Sequence, residues 1–157
     1  MDAYTKILFL VHIGGAIAGI GPTFGFAVMG KMIEKTPPPG NLAILETLMA
    51  IETKVVTPVA LITQPLSGAL LIFDRGLDTL FFQQEWLYVS IIAYIAVLVI
   101  SYGIDNPAIH RVVKLAKEGK AGTPEFEANK KTTQRLGPIL GILTVLIIFM
   151  MVWQPGR

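Results

Sequence analysis

Four stretches of this chain carry no formal charge, and together they decide what it can fold into. Residues 7–30 run uncharged from Lys6 to Lys31, and residues 55–73 from Lys54 to Asp74. Residues 86–104 do the same between Glu85 and Asp105, and residues 136–156 between Arg135 and Arg157. A bilayer core needs roughly 20 apolar residues of helix, and all four runs reach that length. Backbone groups in lipid must find their partners within their own segment, so the runs are expected to be helices. Composition agrees: 53% of the 157 residues are hydrophobic and 15% charged, where a soluble domain carries about a quarter. The expectation is an all-α polytopic membrane protein, a four-helix bundle in one membrane domain over residues 1–157. Its spans fall at about 5–30, 55–73, 86–104 and 136–154. The first run is too long for the apolar core of a signal peptide and reads as a retained helix. The chain has no cysteine, which removes disulfides, thiolate metal sites and cysteine nucleophiles.

The basic residues are unevenly divided between the two ends of such a bundle. Lys6, Arg75 and Arg157 fall on one side; Lys31, Lys35, Lys54, Arg111, Lys114, Lys117, Lys120, Lys130, Lys131 and Arg135 fall on the other. Basic residues near helix ends stay cytoplasmic. The expected location is therefore a bacterial inner membrane, multi-pass, with both termini outside. The net charge of +2 gives no argument for nucleic acid.

The segments between the runs carry their own signals. Thr36–Gly40 (TPPPG) is a stiff extended break, and residues 42–54 read as a helical lead-in to the second run. Asp74-Arg75-Gly76 is a turn, and Leu77, Leu80 and Phe81 suggest a short interfacial helix behind it. Trp86, Tyr88 and Trp153 are placed at headgroup depth. Asn106-Pro107 reads as a helix start, followed by an apolar stripe of Ile109, Val112, Val113 and Ala116. This inner-loop helix, spanning part of 105–135, is either a surface helix on anionic lipid, an extension of the third run, or a docking surface for a protein partner. A second start at Thr123-Pro124, with Glu125 and Glu127 behind it, places the beginning of the last helix near residue 124.

Membrane helices associate through small and polar residues, and each run has such a seam. The first has His12, Gly15 and Gly19, continued by Gly21 and Gly25. The second has Thr57, Gln64 and Gly68, with bends expected at Pro58 and Pro65. The third has Ser90, Tyr94 and Ser101; the fourth has Gly137, Gly141, Thr144 and Met151. His12 is the one ionisable side chain inside an apolar run apart from the tyrosines, and such residues are functional candidates. It sits about 9 Å below the outer end of its helix, beside a trough made by Gly15 and Gly19. That trough could take a neighbouring helix or a planar macrocycle held by an axial imidazole. Haem iron accepts one histidine, two, or histidine with methionine. His110 is on the other side of the membrane, which leaves Met151 or an open position as the second ligand. The competing readings of His12 are a packing residue bonded to Tyr94 or Gln64, and a proton-transfer group. The runs hold no second histidine or carboxylate cluster for a dinuclear or zinc site. Met29, Met32 and Met49 near the inner face read as apolar filling rather than copper ligands.

The early histidine followed by Gly14-Gly15, the four spans, and TPVALITQPLSG in the second run resemble a family of small bacterial membrane proteins. That family is catalogued as a predicted integral membrane domain of unknown function. The plan is also similar to the HemJ-type protoporphyrinogen oxidases and the CopD-like copper-resistance domains. The HemJ resemblance implies haem binding through His12, although this chain reads Gly21-Pro22-Thr23-Phe24 where that type has a Leu-Pro-Arg-like motif. The resulting expectation is a protein holding haem b through His12, with Gly15, Gly19, Tyr94 and Met151 around it. It would work in electron transfer or as a subunit of a redox complex. The alternatives are an accessory protein without cofactor and a small transporter. The expected partners are the lipid bilayer, anionic lipid or a protein at the basic inner loop, and a homo-oligomer or larger membrane complex.

Overall fold

Two residues set the helix starts that the sequence advertises. The Asp2 carboxylate accepts from Thr5 N at 2.8 Å and caps α1 (Ala3–Lys35). The Thr123 hydroxyl accepts from Phe126 N at 3.4 Å and caps α6 (Pro124–Trp153). A side-chain acceptor at this position satisfies one of the amide groups that the first helical turn leaves unpaired. In the computed structural model, which describes residues 1–37, 40–78 and 81–155 (with the side chains of residues 27, 34 and 81 left out), these two helices enclose two more rods. The second rod is continuous over Gly40–Asp74, the third over Glu85–Lys117. No strand occurs among the described residues. All four rods are long and apolar enough to cross a membrane, as the uncharged runs require.

The middle rods are continuous but not uniform. The second is built from α2 (Gly40–Ile51), a π turn at Glu52–Val56, a second π turn at Val59–Thr63, and α3 (Gln64–Asp74). The third is α4 (Glu85–Ile100), a π turn at Ser101–Asp105 and α5 (Asn106–Lys117). Each π turn comes directly before an X-Pro step, and the reason is steric. A proline inside a helix lacks an N–H and collides with the carbonyl four residues back. Here the residue before the proline reaches back five residues instead: Thr57 N to Glu52 O, Gln64 N to Val59 O, Asn106 N to Ser101 O. The extra residue widens the turn that the ring must enter. It also strands one carbonyl per site. Thr53, Ala60 and Tyr102 would next be served by the N–H of Pro58, Pro65 and Pro107, which does not exist.

This corrects one sequence expectation. Asn106-Pro107 does not start a helix: Asp105 and Asn106 both keep right-handed helical angles, and the third rod runs through them. The inner-loop helix is an extension of the third run. Its apolar side does not lie on lipid, because Val112, Val113 and Leu115 are buried within the protein, and α5 packs on α6 and α2. The break that follows is as expected, with Gly119 and Gly122 at φ +71 and +82 and Thr123 opening α6. At the other end, Gly76 (φ +63) follows Asp74 in the expected turn. A short 3₁₀ turn occupies Phe81–Gln83; the expected interfacial helix also involves Leu80, which lies outside the described residues, as do Pro38, Pro39 and Arg157.

The rods form two hairpins. α1 approaches α2, the π turns and α3 of the second rod closely; α4 and α5 approach α6. Close backbone approach between the hairpins is sparse and concentrated between α2 and α5 and between α1 and α6. Thr5 Oγ1 lies 2.8 Å from Asp2 Oδ1 and 2.7 Å from Asp74 Oδ2, tying the first hairpin together at the end that carries the N-terminus. At the other end the rods outrun the membrane. Thirty-five residues in the second rod make about 52 Å of helix, against a hydrocarbon core of about 30 Å. The surplus builds a layer from α2, α5 and the start of α6. Arg111–Glu125 and Lys117–Glu46 (2.7 Å) pair across its exposed surface.

Candidate functional site

His12 stands where α1 meets α3, just beyond the second π turn of the second rod. Its Nδ1 lies 2.9 Å from Ser67 Oγ. Ser67 Oγ in turn donates to Thr63 O at 2.6 Å. A serine hydroxyl has a single proton, and the short bond commits it to the Thr63 carbonyl. The lone pair then faces His12, so Nδ1 carries the imidazole proton and Nε2 keeps its lone pair. A Cβ on Gly68 would meet His12 Cε1 at 3.3 Å, so the absence of a side chain there is what lets the ring lie flat on the second rod. Nε2 forms no hydrogen bond with a described residue. Asp105 Oδ1 is the only fully buried side-chain N or O atom without a partner among the described residues, so Nε2 retains contact with the surface.

The glycine trough beside the ring is occupied by the second rod. A Cβ at Gly15 would come within 2.7 Å of Gln64 Nε2 and 3.2 Å of Thr63 Cγ2; one at Gly19 would meet Val59 Cγ1 at 3.2 Å. Gln64 Nε2 uses that closeness to donate to the His12 carbonyl at 2.8 Å. The residues of the trough therefore fit a helix and leave no room there for a macrocycle. Below the ring, Leu8, Val11, Ile62, Leu66 and Leu70 form an apolar groove of about 180 Å³ with Ser67 at its edge. That is smaller than the roughly 300 Å³ of the smallest ligand pockets.

Other expected site residues fall elsewhere. Tyr94 does not reach His12; its hydroxyl donates to the Ala60 carbonyl, the group stranded by Pro65. Met151 is on α6, which packs mainly on α4 and also approaches α1. Gly21, Gly25, Gly137 and Gly141 have nothing within contact distance of an added Cβ; of the seam expected on α6, Thr144 is buried, together with Leu140, which that seam did not include. Ser67, the ring's partner, escaped the sequence reading although it stands one residue before Gly68 and three after Gln64. Its position on that face was the available signal.

A second polar group lies at the inner end of the seam between the hairpins. The Asn106 side chain lies beside Glu52, and the Tyr102 hydroxyl beside Thr57. Asp105 lies close enough to Glu52 for one charge to act on the other. These residues come from the two π turns that face each other across the seam. No group of three or more metal-ligating side chains occurs among the described residues.

Four membrane-length rods, a histidine held by a serine, and a proline-punctuated second rod are now accompanied by a match in sequence. Residues 6–155 match the family described as a predicted integral membrane protein, DUF2269. The chain belongs to that family. No curated protein and no solved structure matches it. In this DUF2269 protein the four membrane-length rods hold most of the described residues. No soluble domain stands beside it among the described residues.

Proposed function

We propose that this protein is a membrane-embedded haem b-binding subunit, in which His12 would hold the group through Nε2 on the open surface outside the filled glycine trough and the small groove, with electron transfer as its role. The observation that carries this reading is the Nδ1–Ser67–Thr63 carbonyl chain. Metal-ligating histidines characteristically donate their other ring N–H to a fixed acceptor, which sets the tautomer and orients the ring. Here that arrangement exists with Nε2 open. A haem brings four nitrogens of its own and needs only one or two axial ligands, so the lack of a three-residue metal cluster does not weigh against it. His12 would hold the group, Ser67 would orient the imidazole, and the apolar Leu8, Val11 and Leu66 surface would exclude water on that flank. When bound, haem supplies one-electron chemistry. The polarity of the basic residues supports a bacterial inner-membrane location with both termini outside.

A second reading is favoured by the fit of Gln64 and Ser67 around His12. In it the histidine only fastens α1 to the second rod, and the protein is an accessory membrane component without cofactor. The two separate in one experiment. The protein is expressed with haem precursor, purified in mild detergent and examined by absorption spectroscopy. The haem reading requires a Soret band in the wild type that is lost in His12→Ala while helix content by circular dichroism is kept. A colourless wild type after haem supplementation refutes it. Ser67→Ala is expected to retain the band with a shifted position.

A further inference from the structure

Where α1 leaves its uncharged run, two of its cations stand without counter-charges. Lys31 and Lys35 are exposed. The ion pairs at that end of the bundle join other residues: Arg111 with Glu125, Lys117 with Glu46, and Lys120 with Glu118. Neither Lys31 nor Lys35 pairs with a carboxylate among the described residues. Even with Glu34 counted between them, two lysines against one glutamate leave residues 31–35 at a formal +1. The two lysines border a recess of about 420 Å³, whose described lining is completed by Val28 and Met32. These four residues follow at i, i+3, i+4 and i+7, so they share one face of the helix. Val28 and Met32 are 64% and 52% exposed. Phe24 continues the exposed apolar face one turn further into the run, and Gly25 beside it leaves open space where a side chain would stand. The recess is charged where the helix leaves the run and apolar toward it.

We infer that this recess binds an anionic phospholipid, with the phosphodiester between the Lys31 and Lys35 ammonium groups and an acyl chain along Met32, Val28 and Phe24. The uncharged run ends at residue 30, which puts both lysines at the membrane–water boundary. There the ammonium groups reach headgroup level while their stems stay against apolar surface. A lysine at this level is attracted to anionic lipid; a zwitterionic lipid offers less, because its own ammonium offsets its phosphate. A second copy of the chain is the poorer occupant. Inserted in the same sense, it would bring its own Lys31 and Lys35 to the same depth across a two-fold axis, and like charges brought together oppose association. Val28 stands 16 residues along α1 from His12, about 24 Å away, so the lipid site does not depend on the haem reading.

The test is native mass spectrometry of the full chain, taken into mild detergent from vesicles of equal phosphatidylglycerol and phosphatidylcholine. One phosphatidylglycerol is expected to stay bound in preference to phosphatidylcholine. Lys31→Gln/Lys35→Gln should weaken its retention by about 30-fold, the attraction of two interfacial lysines. Lys131→Gln/Arg135→Gln removes the same charge from exposed positions on α6 and should leave the lipid in place. Equal retention of the two lipids by the wild type refutes the site, and that measurement needs no variant to fold. Loss of the lipid in both double variants, or in neither, also refutes it. Glycerol phosphate, the same headgroup chemistry without chains, should not displace the lipid at equal concentration; displacement would show a phosphate site and overturn the lipid assignment. A dimer that separates in Lys31→Gln/Lys35→Gln, found in place of bound lipid, would overturn it in favour of a second copy.

Discussion

Replacing Gly15 by alanine tests the packing around His12 against a control one residue away. Both Gly14 and Gly15 are interior to α1, so Gly→Ala gains helix propensity at either, up to about 1 kcal/mol. That gain cancels in the comparison. At Gly14 an added Cβ meets nothing within 4 Å; at Gly15 it falls 2.7 Å from Gln64 Nε2 and 3.2 Å from Thr63 Cγ2. The amide is the far end of a flexible side chain, so it moves rather than forcing the helices apart. Moving it breaks the 2.8 Å bond to the His12 carbonyl. Interhelical bonds of this kind in membranes are worth about 0.6 kcal/mol on average and about 1.7 at most. With the tight Thr63 contact added, Gly15→Ala is expected to be about 1–2 kcal/mol less stable than Gly14→Ala. The assay is unfolding of detergent-solubilised protein by sodium dodecyl sulfate, followed by circular dichroism. The double variant Gly15→Ala/Gln64→Ala sharpens the result. With the amide gone the added methyl has room, so the two substitutions should be non-additive by about 1 kcal/mol. Equal stabilities for the two single alanine variants, within about 0.3 kcal/mol, would show that the second rod does not sit in the glycine trough.

Three further outcomes follow from particular contacts. Tyr94→Phe leaves the Ala60 carbonyl without a donor and should cost about 1–2 kcal/mol in the same unfolding assay. In a Pro65→Ala background, where an N–H is restored, that penalty should shrink. In the inner layer, Leu115→Ala should cost about 2–5 kcal/mol, because Leu115 is only 2% exposed. Glu46→Ala should change stability by less than about 0.5 kcal/mol, because its pair with Lys117 is roughly half exposed on both sides. Finally, the Thr5 backbone and side chain hold the Asp2 carboxyl below its ordinary value of 3.8. A carboxyl lowered by folding stabilises the native helix end above its unfolded value and ceases to as pH falls through the folded one. Amide exchange in the first turn of α1 should therefore accelerate below about pH 4, and Asp2→Asn should flatten that dependence.

The four spans were legible because lipid imposes one rule on every residue, and charge obeys it without exception from Lys6 to Lys31 or Arg135 to Arg157. The cap at Thr123 and the break at Gly119–Gly122 were legible because they depend on a few adjacent residues. Three kinds of feature were not. Ser67 looks like any small polar residue until the rotation of the second rod is known. Glycines invite helices in general, yet Gly15 and Gly19 receive one while Gly137 and Gly141 do not, since that choice belongs to the pairing of rods. The Glu52–Asp105 juxtaposition joins residues 53 positions apart through two turns whose geometry each proline sets locally. Prolines were readable as bends, but the Asn106-Pro107 step was mistaken for a start. The sequence signal for a start and for a π turn at that step is the same dipeptide; the helical residues upstream decide between them.

The carbonyl of Ala60 has a consequence for how the chain is made. Its donor, Tyr94, lies 34 residues later and in the other hairpin, so the first hairpin enters the bilayer with an acceptor it cannot satisfy by itself. Until the third rod is synthesised, one flank of the second is chemically unfinished. The order of translation thus imposes an order of assembly, in which the second hairpin completes the first as well as joining it.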